Sequence, residues 1–211
     1  AVPLFAERGF DAVTTRDIAS AAGVSEALLY RHFGGKQDIY EAIQTTCVLE
    51  ASEPVERLIR MPDDTASLVT CIYAMMWKIQ RGPDEKRCQH QQMRRLVCRS
   101  LLSDGQFAAD FLSKTSGVWV DKMRACLKAA IAAGDVVGTQ EDAELGIWLG
   151  GHHVSVMIEM YGLSGAGIIE YPGGDERLLE RSVLLCLRSL GMTPEAIDRH
   201  YQPDRLALLL S

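Results

Sequence analysis

The sequence predicts an all-α protein: an N-terminal three-helix, helix-turn-helix domain followed by a larger helical domain. Three observations carry that prediction. Long runs rich in Ala, Leu, Met and Arg hold few alternating Val, Ile or Thr segments, so helix propensity outweighs strand propensity. Apolar residues recur at three- and four-residue intervals along most of the chain. Between these runs stand stop signals such as Gly9, Gly23, Gly34-Gly35, Gly82-Pro83 and Gly134. At 211 residues, 47% of them apolar and with a mean hydropathy of +0.01, the chain can bury a sizeable core in one large or two small domains.

Residues 1–8 read as the last turns of a helix with Leu4 and Phe5 inward and Gly9 as its stop; no initiator Met is present, so that helix is expected to begin earlier. Thr14 is placed to cap the next helix, with Ile18, Ala19 and Ala22 inward, and Gly23 allows a tight turn. Ser25 caps a third helix with Leu29 and Phe33 inward. Small Ala19, turning Gly23 and apolar Leu29 are spaced so that two short helices cross closely at a steep angle. Phe10 and Val13 are expected beneath them. From Lys36, the residues Ile39, Ile43, Cys47 and Ala51 form an amphipathic stripe.

Pro54 and then Met61-Pro62-Asp63-Asp64 interrupt the helical pattern, and the two domains are placed at 1–50 and 51–211. A buried helix follows from Thr65 to about Gly82, with Leu68, Val69, Ile72, Tyr73, Met76 and Ile79 apolar. A polar, basic helix over about 84–102 turns Met93, Leu96, Val97 and Leu101 inward. The next spans about 106–133, with Phe107, Phe111, Val118, Trp119, Met123, Cys126 and Ala130 on one side. Residues 145–163 are the most apolar stretch, but His152, His153, Ser155 and Glu159 argue against a membrane span and for a helix buried on two sides. A helix over 175–190 and a short one opened by Thr193-Pro194 complete the chain, whose tail ends in LALLL.

The net charge is −6, and residues 1–50 hold four basic against seven acidic side chains. No basic patch exists to neutralise phosphate, so nucleic-acid binding would depend on where the few cations sit, on helix N-termini and on two copies acting together. Six cysteines, widely spaced and without a C-x-x-C pair, do not form a disulfide framework. Five charged side chains among the first twenty residues exclude a signal-peptide core, which places the protein in a reducing cytoplasm.

The stretch LFAERGFDAVTTRDIASAAGVSEALLYRHFGGKQDIYEAI, Leu4 to Ile43, resembles the tetracycline-repressor (TetR) family of bacterial transcriptional regulators, above all in GVS followed by LYRHF and a Lys. The resemblance implies a homodimer with an N-terminal domain on a double-stranded DNA operator and a C-terminal helical domain that binds a small-molecule effector and dimerises. It places Thr14 and Arg16 at the phosphate backbone, and Ser25, Glu26, Ala27 and Leu28 at the opening of a recognition helix in the major groove. Tyr30, Arg31 and His32 are placed on backbone and flanking bases, and Lys36 on a further phosphate. Glu26-Ala27-Leu28 departs from the small, polar run usual in the family. A carboxylate can accept from cytosine N4 and a leucine can touch a thymine methyl; alternatively Glu26 only sits favourably at a helix N-terminus. The family's basic arm before the first helix is not visible in the sequence: either it was removed with the missing start or the protein lacks it.

In the C-terminal half, Met75, Met76, Phe107, Phe111, Trp119, Met123, Trp148, Met157 and Tyr161 offer large adaptable walls for an apolar or aromatic ligand, with His152 as the polar residue inside. Gly146, Gly150 and Gly151 clear one helix face, which suggests close approach by a partner subunit in a four-helix interface, or else packing inside one subunit. A metal sensor would draw on Cys88, His90, Cys98, His152 and His153, but Cys88 and His90 point to different sides of a helix. A redox switch through a cysteine is the other rival chemistry. No cofactor motif or catalytic constellation appears, so an enzyme is not expected. The expected function is a ligand-responsive transcriptional regulator, a repressor released by its effector. The alternative is a helical small-molecule-binding or scaffold protein that no longer reads DNA.

Overall fold

The computed structural model describes residues 1–50, 52–80, 87–163 and 169–209, and among these every named element is helical. The chain forms two compact units, Ala1–Val55 with Glu85–Gly117, and Glu56–Asp84 with Val118–Ser211. Residues 85–117, assigned by the sequence reading to the C-terminal domain, thus pack with the N-terminal helices.

The first unit holds α1 (Val2–Arg8), α2 (Thr15–Ala21), α3 (Glu26–His32), α4 (Lys36–Glu50), α7 (Arg87–Leu101) and the start of α8 (Gln106–Ala132). Phe5, Val13, Ile18, Ala19, Leu29 and Ile39 are buried together, as expected, but so are Met93, Leu96 and Phe107 from α7 and α8. Tyr40, absent from the expected stripe, is the hub: its ring lies 5.0 Å from Phe5, 4.7 Å from Phe10 and 4.4 Å from Phe107. Burial pushes its hydroxyl up to about 12. Arg99 of α7 donates to the carbonyls of Glu7 (2.8 Å) and Arg8 (3.2 Å), two of the orphan acceptors at the end of α1. Gly9 follows at φ +81, and a Cβ there would stand 2.8 Å from Arg99 Nε.

Two inward expectations fail. Ala22 is exposed because α2 stops at Ala21, where the turn begins. Leu101 is 58% exposed because it is the last residue of α7. The side chains of Cys47, Ala51 and Val118 lie outside the described residues.

The second unit contains α5 (Ser52–Ile59) from Glu56 onward, α6 (Thr65–Gln80) and the later part of α8. One nearly continuous helix follows: α9 (Gln140–Ile147), a π-helical turn Trp148–His153, and α10 (Val154–Leu163). Then come α11 (Gly174–Ser189), α12 (Pro194–His200) and α13 (Pro203–Leu208). Helix α6 is buried on most of its circumference, as its sequence predicts. Thr193 caps α12 with Pro194 at its first position. The Lys122 ammonium, almost fully buried, holds the Met61–Asp63 turn through the Met61 and Pro62 carbonyls and Asp63 Oδ1 (2.5 Å). Asp135 joins three segments: Oδ2 accepts from Thr65 Oγ1 (2.6 Å), Oδ1 from Arg199 (3.0 Å), and its carbonyl from the Thr193 amide (2.9 Å). The tail docks through Leu206, while Leu208 and Leu209 stay exposed.

The glycine face is corrected here. A Cβ on Gly146 would lie 2.2 Å from the Ser189 carbonyl oxygen, one on Gly150 2.5 Å from Ser189 Cβ, and one on Gly151 2.8 Å from Cys186 Sγ. The helix brought close by these glycines is therefore α11 of the same chain. Gly146→Ala is expected to destabilise the protein by a net ~2 kcal/mol: the methyl meets backbone that cannot rotate away, which outweighs the ~1 kcal/mol that alanine returns in helix propensity. The melting temperature should fall by ~4–8 °C. Gly35→Ala, whose Cβ would meet nothing within 4 Å, serves as the control. Equal melting of the two variants refutes the account.

Candidate nucleic-acid interface

Short-range caps build the two crossed helices. Thr14 and Asp17 form a capping box at the start of α2: the Asp17 amide donates to Thr14 Oγ1 (3.1 Å) and the Thr14 amide to Asp17 Oδ2 (2.9 Å). Those Thr14 hydrogen bonds, its amide first, hold the Asp17 carboxyl below its usual range. At the other end, Gly23 (φ +67) donates to the Ser20 carbonyl and Val24 to that of Ala19. This left-handed stop satisfies two last-turn acceptors and turns the chain sharply. Ser25 Oγ then accepts from the Leu28 amide (3.1 Å) to open α3.

The expected DNA contacts fall into two groups. Arg16, Ala27, Leu28, Tyr30, Arg31 and His32 have exposed positions, with Tyr30 52% accessible. Thr14, Ser25, Glu26 and Lys36 are engaged within the unit. The Thr14 and Ser25 hydroxyls serve as caps. Glu26 Oε1 accepts from Thr15 Oγ1 (2.7 Å), which leaves the Thr15 oxygen to accept from the Tyr30 hydroxyl (3.1 Å). This chain ties the opening of α2 to the first two turns of α3, and it occupies one Glu26 oxygen. Lys36 Nζ donates to the Phe10 carbonyl (2.6 Å) and sits 4.1 Å over the Phe10 ring, so its charge is turned toward the turn after α1. Thr15 was missed by sequence reasoning, because a residue just inside a helix carries no periodic signal.

The ten expected ligand-site residues are not gathered in one place. Phe107 and Phe111 belong to the first unit's core. Met75, Met76, Trp119 and Met123 pack in the second. Trp148 and His152 meet edge to face at 5.3 Å. Met157 and Tyr161 are exposed, and Met157 lines an open groove of about 480 Å³ between α10 and α11 with His153, Ile158, Tyr171, Arg181 and Leu185. Burial, and secondarily His153, lower the pKa of His152. His153 Nδ1 faces the Trp148 carbonyl at 2.6 Å and, since a carbonyl only accepts, carries the proton.

No group of three potential ligands able to hold a metal occurs among the described residues, and the Cys88 and His90 side chains lie outside them. Burial raises the thiols of Cys71, Cys98, Cys126 and Cys186, the first and last to about 12, which disfavours thiolate chemistry. No helix among the described residues is long and apolar enough to cross a membrane.

Comparison with known proteins bears on the same region. Residues 1–43 match the family described as bacterial regulatory proteins, tetR family. The biofilm operon icaADBC HTH-type negative transcriptional regulator IcaR of Staphylococcus epidermidis is 30% identical over 86 residues, 41% of this chain and 44% of that one. The Staphylococcus aureus IcaR is 43% identical over 47 residues, 22% of this chain and 25% of its own. The chain therefore matches less than half the length of these relatives. Over nearly the whole chain the fold is similar to that of a tetR-family regulatory protein from Rhodococcus RHA1 (TM-score 0.58, 22% identity, 92% of this chain and 94% of that one). It is also similar to Mycobacterium smegmatis AmtR (TM-score 0.60, 20% identity, 99% and 87%).

Proposed function

We propose that the chain, whose residues 1–43 match the tetR family of bacterial regulatory proteins, is a ligand-responsive DNA-binding transcriptional regulator. We read it as a repressor that leaves its operator when a small, largely apolar effector binds. The observation that carries the reading is the capped α2–α3 pair, which holds Leu28, Tyr30, Arg31 and His32 outward on one short helix. The role of IcaR as a negative transcriptional regulator favours repression over activation. In this reading residues 1–50 form the DNA-binding domain and 51–211 the ligand-binding and dimerisation domain, residues 85–117 being shared structurally with the former. A dimer would set two α3 helices in successive major grooves, roughly 34–36 Å apart. An effector that favours another spacing needs a coupling of only ~1–3 kcal/mol.

The engaged residues refine the contacts. Lys36 and Thr14 act by fixing the helices, whereas Arg16 and Arg31 carry the phosphate contacts. Glu26 belongs to the Thr15–Tyr30 chain, which favours the helix-terminus role over base reading. The acidic balance of residues 1–50 supports the second reading, a helical binding protein that no longer reads DNA.

A gel shift of the full chain against its own upstream DNA, at low and moderate salt, separates the two. Specific binding is expected, with Arg31→Ala weakening all sequences alike and flattening the salt slope by about 1. Leu28→Ala should change discrimination at a single operator position. Absence of specific binding at low salt by a dimeric chain selects the second reading.

A further inference from the structure

Six polar atoms described in the second unit are sealed from solvent without a hydrogen-bond partner: His200 Nε2, the Tyr201 hydroxyl and, on two neighbouring helices, Nδ1 of His152, Oγ of Ser155 and both amide atoms of Gln80. Ser155 is 0% exposed. Thr65, Thr70 and Ser182, buried in the same unit, are bonded, to Asp135, to the Ala66 carbonyl and to that of Leu178. Native proteins rarely leave such groups unmatched unless a water, an ion or a ligand completes them.

The helix directions place Gln80, His152 and Ser155 at neighbouring levels of two adjacent helices. Thr65, at the start of α6, is bonded to Asp135 just ahead of α9. Further along both helices, a Cβ on Gly151 would stand 3.4 Å from the Met75 and Met76 methyls. Helix α6 and the α9–α10 helix therefore run the same way. One turn beyond that contact, at ~1.5 Å per residue, α6 reaches Gln80 and its neighbour reaches Ser155. His152 lies at the level of the contact, in the π-helical turn, a distortion that gathers at functional sites.

We propose that Gln80, His152 and Ser155 form the polar end of an internal site for a small, uncharged, mainly apolar molecule, held through a hydroxyl, carbonyl or amide group. An amide, a hydroxyl and a neutral imidazole can donate and accept but supply no counter-charge. A carboxylate or ammonium would lose its hydration there without an ionic partner among them. Met75, Met76 and Trp148 provide adaptable apolar walls. That the occupant acts as effector rests on the regulator reading above; that it binds does not.

The test uses the full chain and three probes of one alkyl length, octanamide, octanoate and octylamine, followed by calorimetry. Octanamide should bind at least tenfold more tightly than the charged pair. Ser155→Ala and Gln80→Leu should each weaken octanamide about tenfold, the loss of one buried hydrogen bond. In the ligand-free protein the same substitutions should leave the melting temperature unchanged or raise it, since each removes an unmatched polar group. Substitutions that lower the melting temperature and leave octanamide binding unchanged overturn the site, as does equal binding of the three probes or no binding of octanamide. A gel shift with and without octanamide keeps the two ideas apart. Loss of DNA binding altogether counts against the regulator reading alone, and a DNA-binding chain indifferent to Ser155→Ala in the octanamide assay counts against the site alone.

Discussion

Asp135→Ala is expected to lower stability by about 3 kcal/mol, with a fall of ~6–12 °C in melting temperature. The carboxylate is nearly buried, and it accepts from a neutral hydroxyl at the start of α6 and from a guanidinium on α12. Removing it leaves the buried Thr65 hydroxyl without its acceptor, while Arg199, more than half exposed, regains water. The loss is therefore smaller than for a sealed ion pair. The pH dependence gives an independent check. The Thr65 hydrogen bond, opposed by burial and aided by Arg199 and His200, holds the Asp135 carboxyl below its ordinary value. A lowered folded value makes the contribution complete above the unfolded carboxylate value of ~3.9 and lost as pH falls through the folded one. Urea unfolding of the wild type and Asp135→Asn should therefore show a gap that is full near neutrality and closes only in strong acid. A gap that widens on acidification contradicts the assignment.

Asp135 also shows where the sequence stops being informative. Its partners Thr65 and Arg199 are 70 and 64 residues away, and no local pattern announces them. The same holds for Arg99, which caps a helix 91 and 92 residues earlier, and for Tyr40, whose neighbours come from three other segments. What was legible is local. Thr14 and Ser25 as caps, Gly23 as a left-handed stop and Pro194 at a first helical position each follow from chemistry within four residues. Periodicity shows that a helix has a buried face but not against what, so Met93 and Leu96 were rightly turned inward and assigned to the wrong unit. Gly146 and Gly150 likewise announce a close approach without naming the helix that makes it. Charge is the hardest to read, because nothing in the sequence separates Lys36, folded onto Phe10, from Arg31, which stays exposed.

Leu149→Glu, and independently Leu185→Glu, are expected to convert the proposed dimer to a monomer and to weaken operator binding by more than about a hundredfold, with little effect on folding. With the glycine side of α9–α10 closed by α11, the apolar side chains left outward include Leu145 and Leu149 (each 55% exposed), Met157 on α10 and Leu185 (48%) on α11. Leu145, Leu149 and Met157 follow helical spacing across the π turn, and Met157 and Leu185 line the same groove. This is the face the proposed four-helix interface would use. In a two-fold interface each substitution occurs twice and against itself, so one glutamate buries two unpaired charges. A monomer keeps its α2–α3 contacts but loses the second half-site, whose tethering is worth ~10²–10⁴ in avidity. Sedimentation and a gel shift on the same samples decide it. Because both leucines are about half exposed, the variants should melt within a few degrees of the parent, which separates a broken interface from a broken fold. A monomeric variant that still holds the operator with parental affinity removes the dimer from the DNA-binding mechanism, and a variant that stays dimeric moves the interface off this face.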